Sequence, residues 1–412
     1  MVERFSGEWK TVKLGEIVQI IRGVSYSERD VHRAKLNGDC LILRGGNVLE
    51  NGHITITDSD NVYVNGSIVS DKQRIRKNDV VIVSSTASMR VIGKSGVIDS
   101  DYENVAPGAF LLLIRPLKKP DVFAPYVSWY FMTETYRNNI KRLVAGGVIQ
   151  NIKMEHINDL IITLPPLEEQ HAIADTLSAF DRHISALSAL IAKKQAVRQG
   201  ALEDLMTGRT RLEGFCGSWK TVKLLDVVRL VQGLTYKPED VDSHGTLVLR
   251  SSNIQDNKLS LENNVYVRAR ISKEKMIQEG DILVCVRNGS ANLIGKNCIL
   301  PAMSNTTFGA FMSVLRGDTT GFIAKVFESS IVQKQLRGRT SATINQITKK
   351  DFESITIPLP PMDEQLAISS VLSALDSELS ALNSERAKFS AIRQAAISDL
   401  LTGKIRLERT AH

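Results

Sequence analysis

Between residues 164 and 212 the apolar positions recur at spacings of four and three: Ile173, Leu177, Phe180, Ile184, Leu187 and Ile191. A period near 3.5 held over that length predicts one long helix whose stripe packs on a partner helix. The pattern returns between residues 359 and 407 as Ile368, Leu372, Leu375, Leu379 and Leu382. Farther along, Lys194, Arg198, Arg386 and Arg393 interrupt the stripe. Val197, Ala201, Leu205, Phe389, Ile392, Ala396 and Leu400 continue it with a small phase shift. Pro165-Pro166 and Pro360-Pro361 exclude helix upstream, and Glu168-Glu169 and Asp363-Glu364 bring negative charge to the first turn. Gly208 and Gly403 stop the last one. The two stretches align without a gap at an offset of 195 residues, Leu359 against Leu164. At ~1.5 Å per residue each helix spans roughly 60 Å, about twice the width of a small domain. That length favours mutual packing as a coiled coil over two amphipathic helices lying on separate cores.

The repetition extends beyond the helices. Trp9-Lys-Thr-Val-Lys-Leu14 returns as Trp219-Lys-Thr-Val-Lys-Leu224, Gly23-Val-Ser-Tyr26 as Gly233-Leu-Thr-Tyr236, and Leu43-Arg-Gly-Gly-Asn-Val48 as Leu249-Arg-Ser-Ser-Asn-Ile254. Asp79-Val-Val-Ile-Val83 matches Asp281-Ile-Leu-Val-Cys285, and Gly108-Ala-Phe110 matches Gly309-Ala-Phe311. The chain is a tandem duplication whose non-helical parts have gained and lost short segments, because the offset slides from 210 at the tryptophans to 195 at the helices. Runs of β-branched residues separated by Gly, Asn, Ser and Asp predict strands at 79–84, 91–98 and 110–115, with partners at 281–286, 293–300 and 311–316. One helix is predicted over 126–144 and its partner over 322–336. The expected architecture is therefore α+β: globular modules at 1–163 and 214–358, and long helices at 164–213 and 359–412.

The repeat is also cyclic. After the first helix the chain reads Thr207-Gly-Arg-Thr-Arg-Leu-Glu213 and continues to Trp219; after the second it reads Thr402-Gly-Lys-Ile-Arg-Leu-Glu408 and almost stops. The matching continuation, Phe5-Ser-Gly-Glu-Trp9, stands at the start of the chain. The second helix must return toward the first module, which predicts two pseudo-symmetric modules joined by an antiparallel coiled coil, with His412 close to Met1.

A chain of 412 residues with 43% hydrophobic content supports two or more domains with real cores. Its net charge of +7 permits a polyanionic partner. Cys40, Cys216, Cys285 and Cys298 form no C-x-x-C pair, which argues against a disulfide framework or a zinc site. No apolar run reaches transmembrane length, and the start MVERFSGEWKTVKL has no signal-peptide core, so the expected location is the cytoplasm.

Catalytic chemistry is sparse. Gly93-Lys94-Ser95 resembles the end of a phosphate loop, but Ser88 stands where that loop needs glycine, and the stretch lies between two strand-like runs, so a β-turn is expected. The histidines show no ligand spacing, and there is no dinucleotide fingerprint, no Asn- or Asp-Pro-Pro-aromatic motif and no G-x-S-x-G elbow. Binding chemistry is better represented. Arg44, Asn47, Arg90 and Lys94 fall at strand ends or turns of the first module, as do Arg250, Asn253, Arg287, Asn288 and Lys296 in the second. Arg and Asn carry forked donors and acceptors that match base edges, and Lys neutralises phosphate; solvated loop charge is the plain alternative. The amides of Gln150-Asn151 and Asn345-Gln346, each preceded by small residues (Gly146, Gly147; Ser341, Thr343), flank the long helices and join the candidate set, with turn formation as their alternative.

The L-P-P-x-[DE]-E-Q opening, the long stripe and the L-[ML]-T-G stop, used twice around two diverged globules, resemble the specificity subunit of a type I restriction-modification enzyme. The resemblance covers essentially the whole chain. It implies two target recognition domains, each reading one half of a split double-stranded DNA site. The paired helices would space them and bind two methyltransferase subunits. It further implies that S-adenosylmethionine, ATP and Mg belong to those and to restriction/translocase subunits, that this chain holds no cofactor and catalyses nothing, and that it works in a prokaryotic cytoplasm. Two rivals are an architectural DNA-binding protein with a coiled-coil spacer, which would show steep salt dependence and little sequence preference, and a self-contained enzyme, which would turn over without partners.

Overall fold

The computed structural model describes all residues except 1–2, 6, 33, 57–60, 146–149, 291–292, 319, 338–345 and 410–412. The chain forms two compact units: Met1–Leu187 together with Glu385–His412, and Ser188–Ser384. The long helices, Leu167–Thr207 and Met362–Leu401, each contribute one half to either unit.

In the first unit the strands Val18–Arg22, Leu111–Pro116, Val80–Val83 and Ser95–Val97 form an antiparallel sheet in that order. A second sheet runs Val105–Pro107, Asp39–Leu43, Val62–Asn65 and Val31–His32. The Val80–Val83 strand is apolar at every position because both its faces are covered. Val81 and Val83 pack with Leu41 and Leu43 of the second sheet; Val80 and Ile82 pack with Tyr126, Phe131 and Ile173 on the helical side. The second unit repeats this with Arg229–Gln232, Met312–Arg316, Ile282–Cys285 and Asn297–Ile299 beside the sheet Val265–Val267, Val241–Leu249 and Thr306–Phe308. There Leu283 and Cys285 face Leu249 and Phe308, while Ile282 and Val284 face Phe322, Phe327 and Leu372.

The helix predicted over 126–144 is two helices, Ala124–Tyr130 and Glu134–Leu143. Thr133 breaks it: its hydroxyl donates to Tyr130 O at 2.7 Å and accepts from Tyr136 N at 3.1 Å, ending one helix and capping the next. Its partner breaks likewise at Ser329, between Thr320–Glu328 and Ser330–Arg337.

Within each unit the long-helix halves run antiparallel. In the first, Asp181 pairs with Arg393 at 2.5 Å, and Ile173, Ala174 and Leu177 share a core with Ile397, Leu400 and Leu401. In the second, Lys194 meets Glu378 at 2.7 Å and Arg198 meets Asp376 at 2.8 Å, while Leu202, Leu205 and Met206 share a core with Ile368 and Leu372. Leu187 and Ile191 are buried; Phe180, Ile184, Leu375, Leu379, Leu382 and Phe389 are half-buried. Val197 and Ile392, expected in the stripe, are exposed. Near the helix ends the buried face must serve the sheet and short helices as well as the partner helix. It widens and rotates onto Leu202, Met206, Ile397 and Leu401.

Both helices stop at glycines in the left-handed region, Gly208 at φ +68° and Gly403 at φ +70°. The tail after each stop closes a unit. In the first, Arg406 grips the fully buried Glu169 through Nε at 3.0 Å and Nη2 at 2.6 Å. The Trp9 indole donates to the same carboxylate at 3.1 Å, and Arg406 lies over the Trp9 ring at 5.9 Å. In the second, Arg211 grips buried Glu364 at 2.5 and 2.7 Å, Trp219 donates at 2.9 Å, and Arg211 lies over that ring at 5.4 Å. In the first unit the closure goes one step further, because Glu3–Arg4 pairs as a strand with Glu408–Arg409. The two ends of the described chain meet, as the cyclic repeat predicts.

Candidate DNA interface

Each unit gathers polar side chains around one turn. In the second unit the strand Val241–Leu249 gives way at Arg250 to a tight turn, Ser251–Asn253. Gly309 N donates to Leu249 O at 2.9 Å, which brings the Gly309–Met312 turn beside Arg250. The carbonyl of Phe311 accepts from Val286 N at 3.0 Å and Arg287 N at 3.2 Å. Arg287 stacks its guanidinium 5.2 Å from the Phe311 ring and pairs through its backbone with Gln346. Asn288 Nδ2 donates to Ser251 Oγ at 3.2 Å. Arg250, Arg287, Asn288 and Gln346 thus come together; Arg250 Nη2 also donates to Asn263 O at 3.0 Å.

The first unit builds the same arrangement. Gly108 N donates to Leu43 O at 2.9 Å beside Arg44, and Phe110 O accepts from Ser84 N and Ser85 N at 2.9 and 3.2 Å. Ser85 and Thr86 pair through their backbones with Asn151 and Gln150, which brings Asn151 to the corresponding turn beside Arg44. Arg90 and Lys94 sit farther along the hairpin that follows Val80–Val83, fixed by Arg137, which donates to Ile92 O at 2.6 Å and Arg90 O at 2.7 Å. Gly93, at φ +69°, makes the turn before Lys94, and Lys296 follows the equivalent turn at Gly295, φ +80°. The β-turn expected of Gly93-Lys94-Ser95 is what forms. Asn345 lies outside the described residues, as do Gly146, Gly147, Ser341 and Thr343.

Asn47 and Asn253 spend their amides on their own loops. Asn253 is fully buried: its Oδ1 accepts from Arg250 N at 2.9 Å, and its Nδ2 donates to Ser260 O at 2.9 Å and Asn264 Oδ1 at 3.3 Å. Asn47 does likewise with Arg44 N at 2.8 Å and Thr55 O at 2.9 Å. These amides close the loops that carry the arginines. The spacing of the asparagine three residues after the arginine, with small residues between, is the capping signal that sequence reading passed over. That reading also takes Glu169 and Glu364 only as first-turn charge and gives Arg211 and Arg406 no partner, although the two pairs hold the same 195-residue offset.

Little here favours covalent chemistry. Burial pushes the Cys298 thiol up to about 12 and raises those of Cys40 and Cys285, so these sulfurs stay protonated. Among the described residues no group of three or more His, Cys, Asp or Glu is placed to hold a metal, and no helix is long and apolar enough to cross a membrane.

Comparison with known proteins matches the architecture. The type I restriction modification DNA specificity domain fits residues 6–196 and again 217–388, once per repeat. The chain is 27% identical to the type I restriction enzyme EcoKI specificity subunit of Escherichia coli K12, covering 87% of this chain and 80% of that one. It is also 27% identical to the StySPI specificity subunit of Salmonella potsdam at the same coverage. A crystal structure of the type I restriction-modification S subunit from M. genitalium superposes with a TM-score of 0.58 at 17% identity, over 97% of this chain and 99% of that one. A structure from a study of type I R-M complex assembly and conformational transition gives 0.60 at 18%, over 96% and 98%. The fold is shared with both. The duplicated units, the antiparallel helices and the twofold family match place this chain in the type I restriction modification DNA specificity family.

Proposed function

We propose that the chain selects a bipartite DNA target, one half per unit, and catalyses nothing itself. The reading modules are residues 1–163 and 214–358; the helix pair sets the spacing between half-targets and docks two methyltransferase subunits. Those subunits carry S-adenosylmethionine, and restriction/translocase subunits carry ATP and Mg, in a prokaryotic cytoplasm. The observation that supports this most is the presence, in two independent cores, of the same turn beside Arg and amide side chains but differently furnished: Arg44 and Asn151 in one, with Gln150 added as a candidate from the sequence, and Arg250, Arg287, Asn288 and Gln346 in the other. One framework with two sets of side chains is what reading two different half-sequences requires. Arg90, Lys94 and Lys296, on the adjoining hairpins, supply phosphate contacts.

The test is exchange. Replacing residues 1–163 with the same module of a relative, then mapping methylated adenines in the host genome, should change one half of the target and leave the other. A change in both halves would refute independent reading. Co-purification from the host with a methyltransferase subunit is expected; a chain that arrives alone and binds all DNA with steep salt dependence would be an architectural protein instead.

A further inference from the structure

Of the 12 phenylalanines, 3 tryptophans and 8 tyrosines, only Phe110 and Phe311 are exposed, at 70% and 56%. They are repeat partners. Every other aromatic ring is buried or half-buried, so the pair is not a sample of surface scatter. Loose packing does not explain it either, because each ring stands on a rigid turn. The phenylalanine carbonyl is pinned by two backbone N–H groups, and the glycine two residues earlier is hydrogen-bonded to the neighbouring strand. Behind the turn, a Cβ on Gly23 would lie 2.0 Å from Gly108 O, and one on Gly233 would lie 2.0 Å from Gly309 O. Backbone packs on backbone there, and only glycine permits it. The residues before the rings, Ala109 and Ala310, are small and exposed, so the rings protrude beyond their neighbours.

The surroundings identify the occupant. A phenyl ring has no hydrogen-bonding group with which to read a base edge, yet each one stands among the side chains best suited to that reading: Arg44 and Asn151 about Phe110; Arg250, Arg287 and Asn288 about Phe311. What a phenyl ring matches on DNA is the face of a base, reached by wedging into a base step or stacking on an unstacked base. We propose that Phe110 and Phe311 each engage one base step of their half-target and part its stack, adding distortion of the duplex to the edge contacts made by the arginines.

This rests on the bipartite reading above. The experiment uses the full chain co-purified with its methyltransferase subunits, and duplexes of the host-methylated target with 2-aminopurine placed in turn along each half. Wild type should raise fluorescence at one step in each half. Phe110→Ala should abolish the rise in the first half only, and Phe311→Ala in the second only, each weakening specific binding roughly 5- to 150-fold. Phe110→Trp should keep both signals. Because the rings are exposed, thermal melting should stay unchanged, which separates the loss from misfolding. Unchanged fluorescence and affinity in both alanine variants would overturn the proposal. So would loss of co-purification at full DNA response, which would assign the rings to a subunit contact. A wild-type complex with no preference for a two-part site would sink the functional reading itself, a result distinct from either.

Discussion

The tail clasp can be tested by removing its anion. Glu169 is fully buried and receives two hydrogen bonds from Arg406 and one from the Trp9 indole. A charge-assisted bond contributes ~1.5–3 kcal/mol, and breaking a buried pair from one side costs more than the pair is worth, because the partner charge is stranded. Arg406 remains 30% exposed, so water recovers part of its solvation. Glu169→Ala should therefore destabilise the first unit by roughly 2–4 kcal/mol, and a double-mutant cycle with Arg406→Ala should give a coupling of about 1–3 kcal/mol. Hydrogen exchange with mass spectrometry reads this locally. Peptides covering residues 3–13 and 402–409 should lose protection in Glu169→Ala, while residues 212–224, which belong to the Glu364 clasp, keep theirs. A coupling below ~0.5 kcal/mol, or equal loss of protection in both units, would show that the carboxylate does not hold the tail.

Leu177 is fully buried and Leu375 only half-buried, so Leu177→Glu should cost several kcal/mol and Leu375→Glu clearly less, with target choice lost in the first; equal denaturant midpoints would refute the seam. Burial opposes ionisation of Asp376, but Arg198 and Lys325 outweigh it and hold the carboxyl below its ordinary 3.8. A depressed value stabilises the fold above about pH 4 and ceases to as acid protonates the group. The melting gap between wild type and Asp376→Asn should therefore be wide at pH 7 and narrow at pH 3, and a constant gap would contradict it. Since Glu3–Arg4 pairs with Glu408–Arg409, joining the ends by a short Gly/Ser linker and opening the chain near Gly214 should preserve folding and target. Förster transfer between dyes at residues 2 and 411 should report close approach, and a separation near the roughly 60 Å helix length would rule it out.

The long helices were legible because a 3.5 period sustained over many turns, bounded by Pro-Pro and Gly, has few other physical solutions. Their end faces were less so. Val197 and Ile392 follow the stripe, yet Leu202 and Ile397 take the buried positions, since a seam drawn for one partner cannot anticipate the sheet and short helices that crowd the last turns. The candidate interface was half legible. Arg250, Arg287, Asn288 and Gln346 are scattered over nearly a hundred residues and meet only because Gly309 bonds to Leu249. That pairing depends on sheet register, which composition does not encode. The loop-closing bonds of Asn47 and Asn253 were not legible, because an amide beside an arginine serves turn closure and base reading equally well until its hydrogen bonds are known.

The closure of the first unit by the last residues has a temporal consequence. The second unit is one uninterrupted segment, 188–384, whereas the first needs residues 385–412 as well as 1–187. During synthesis from the N-terminus, the unit that begins first is completed last. The Trp9 clasp and the strand Glu3–Arg4 wait for residues 406–409 to leave the ribosome. A product cut short after the second helix would carry a finished second core and an unsealed first one, with the charge of buried Glu169 unanswered. Completion of the first core thus has to follow synthesis of the entire second unit.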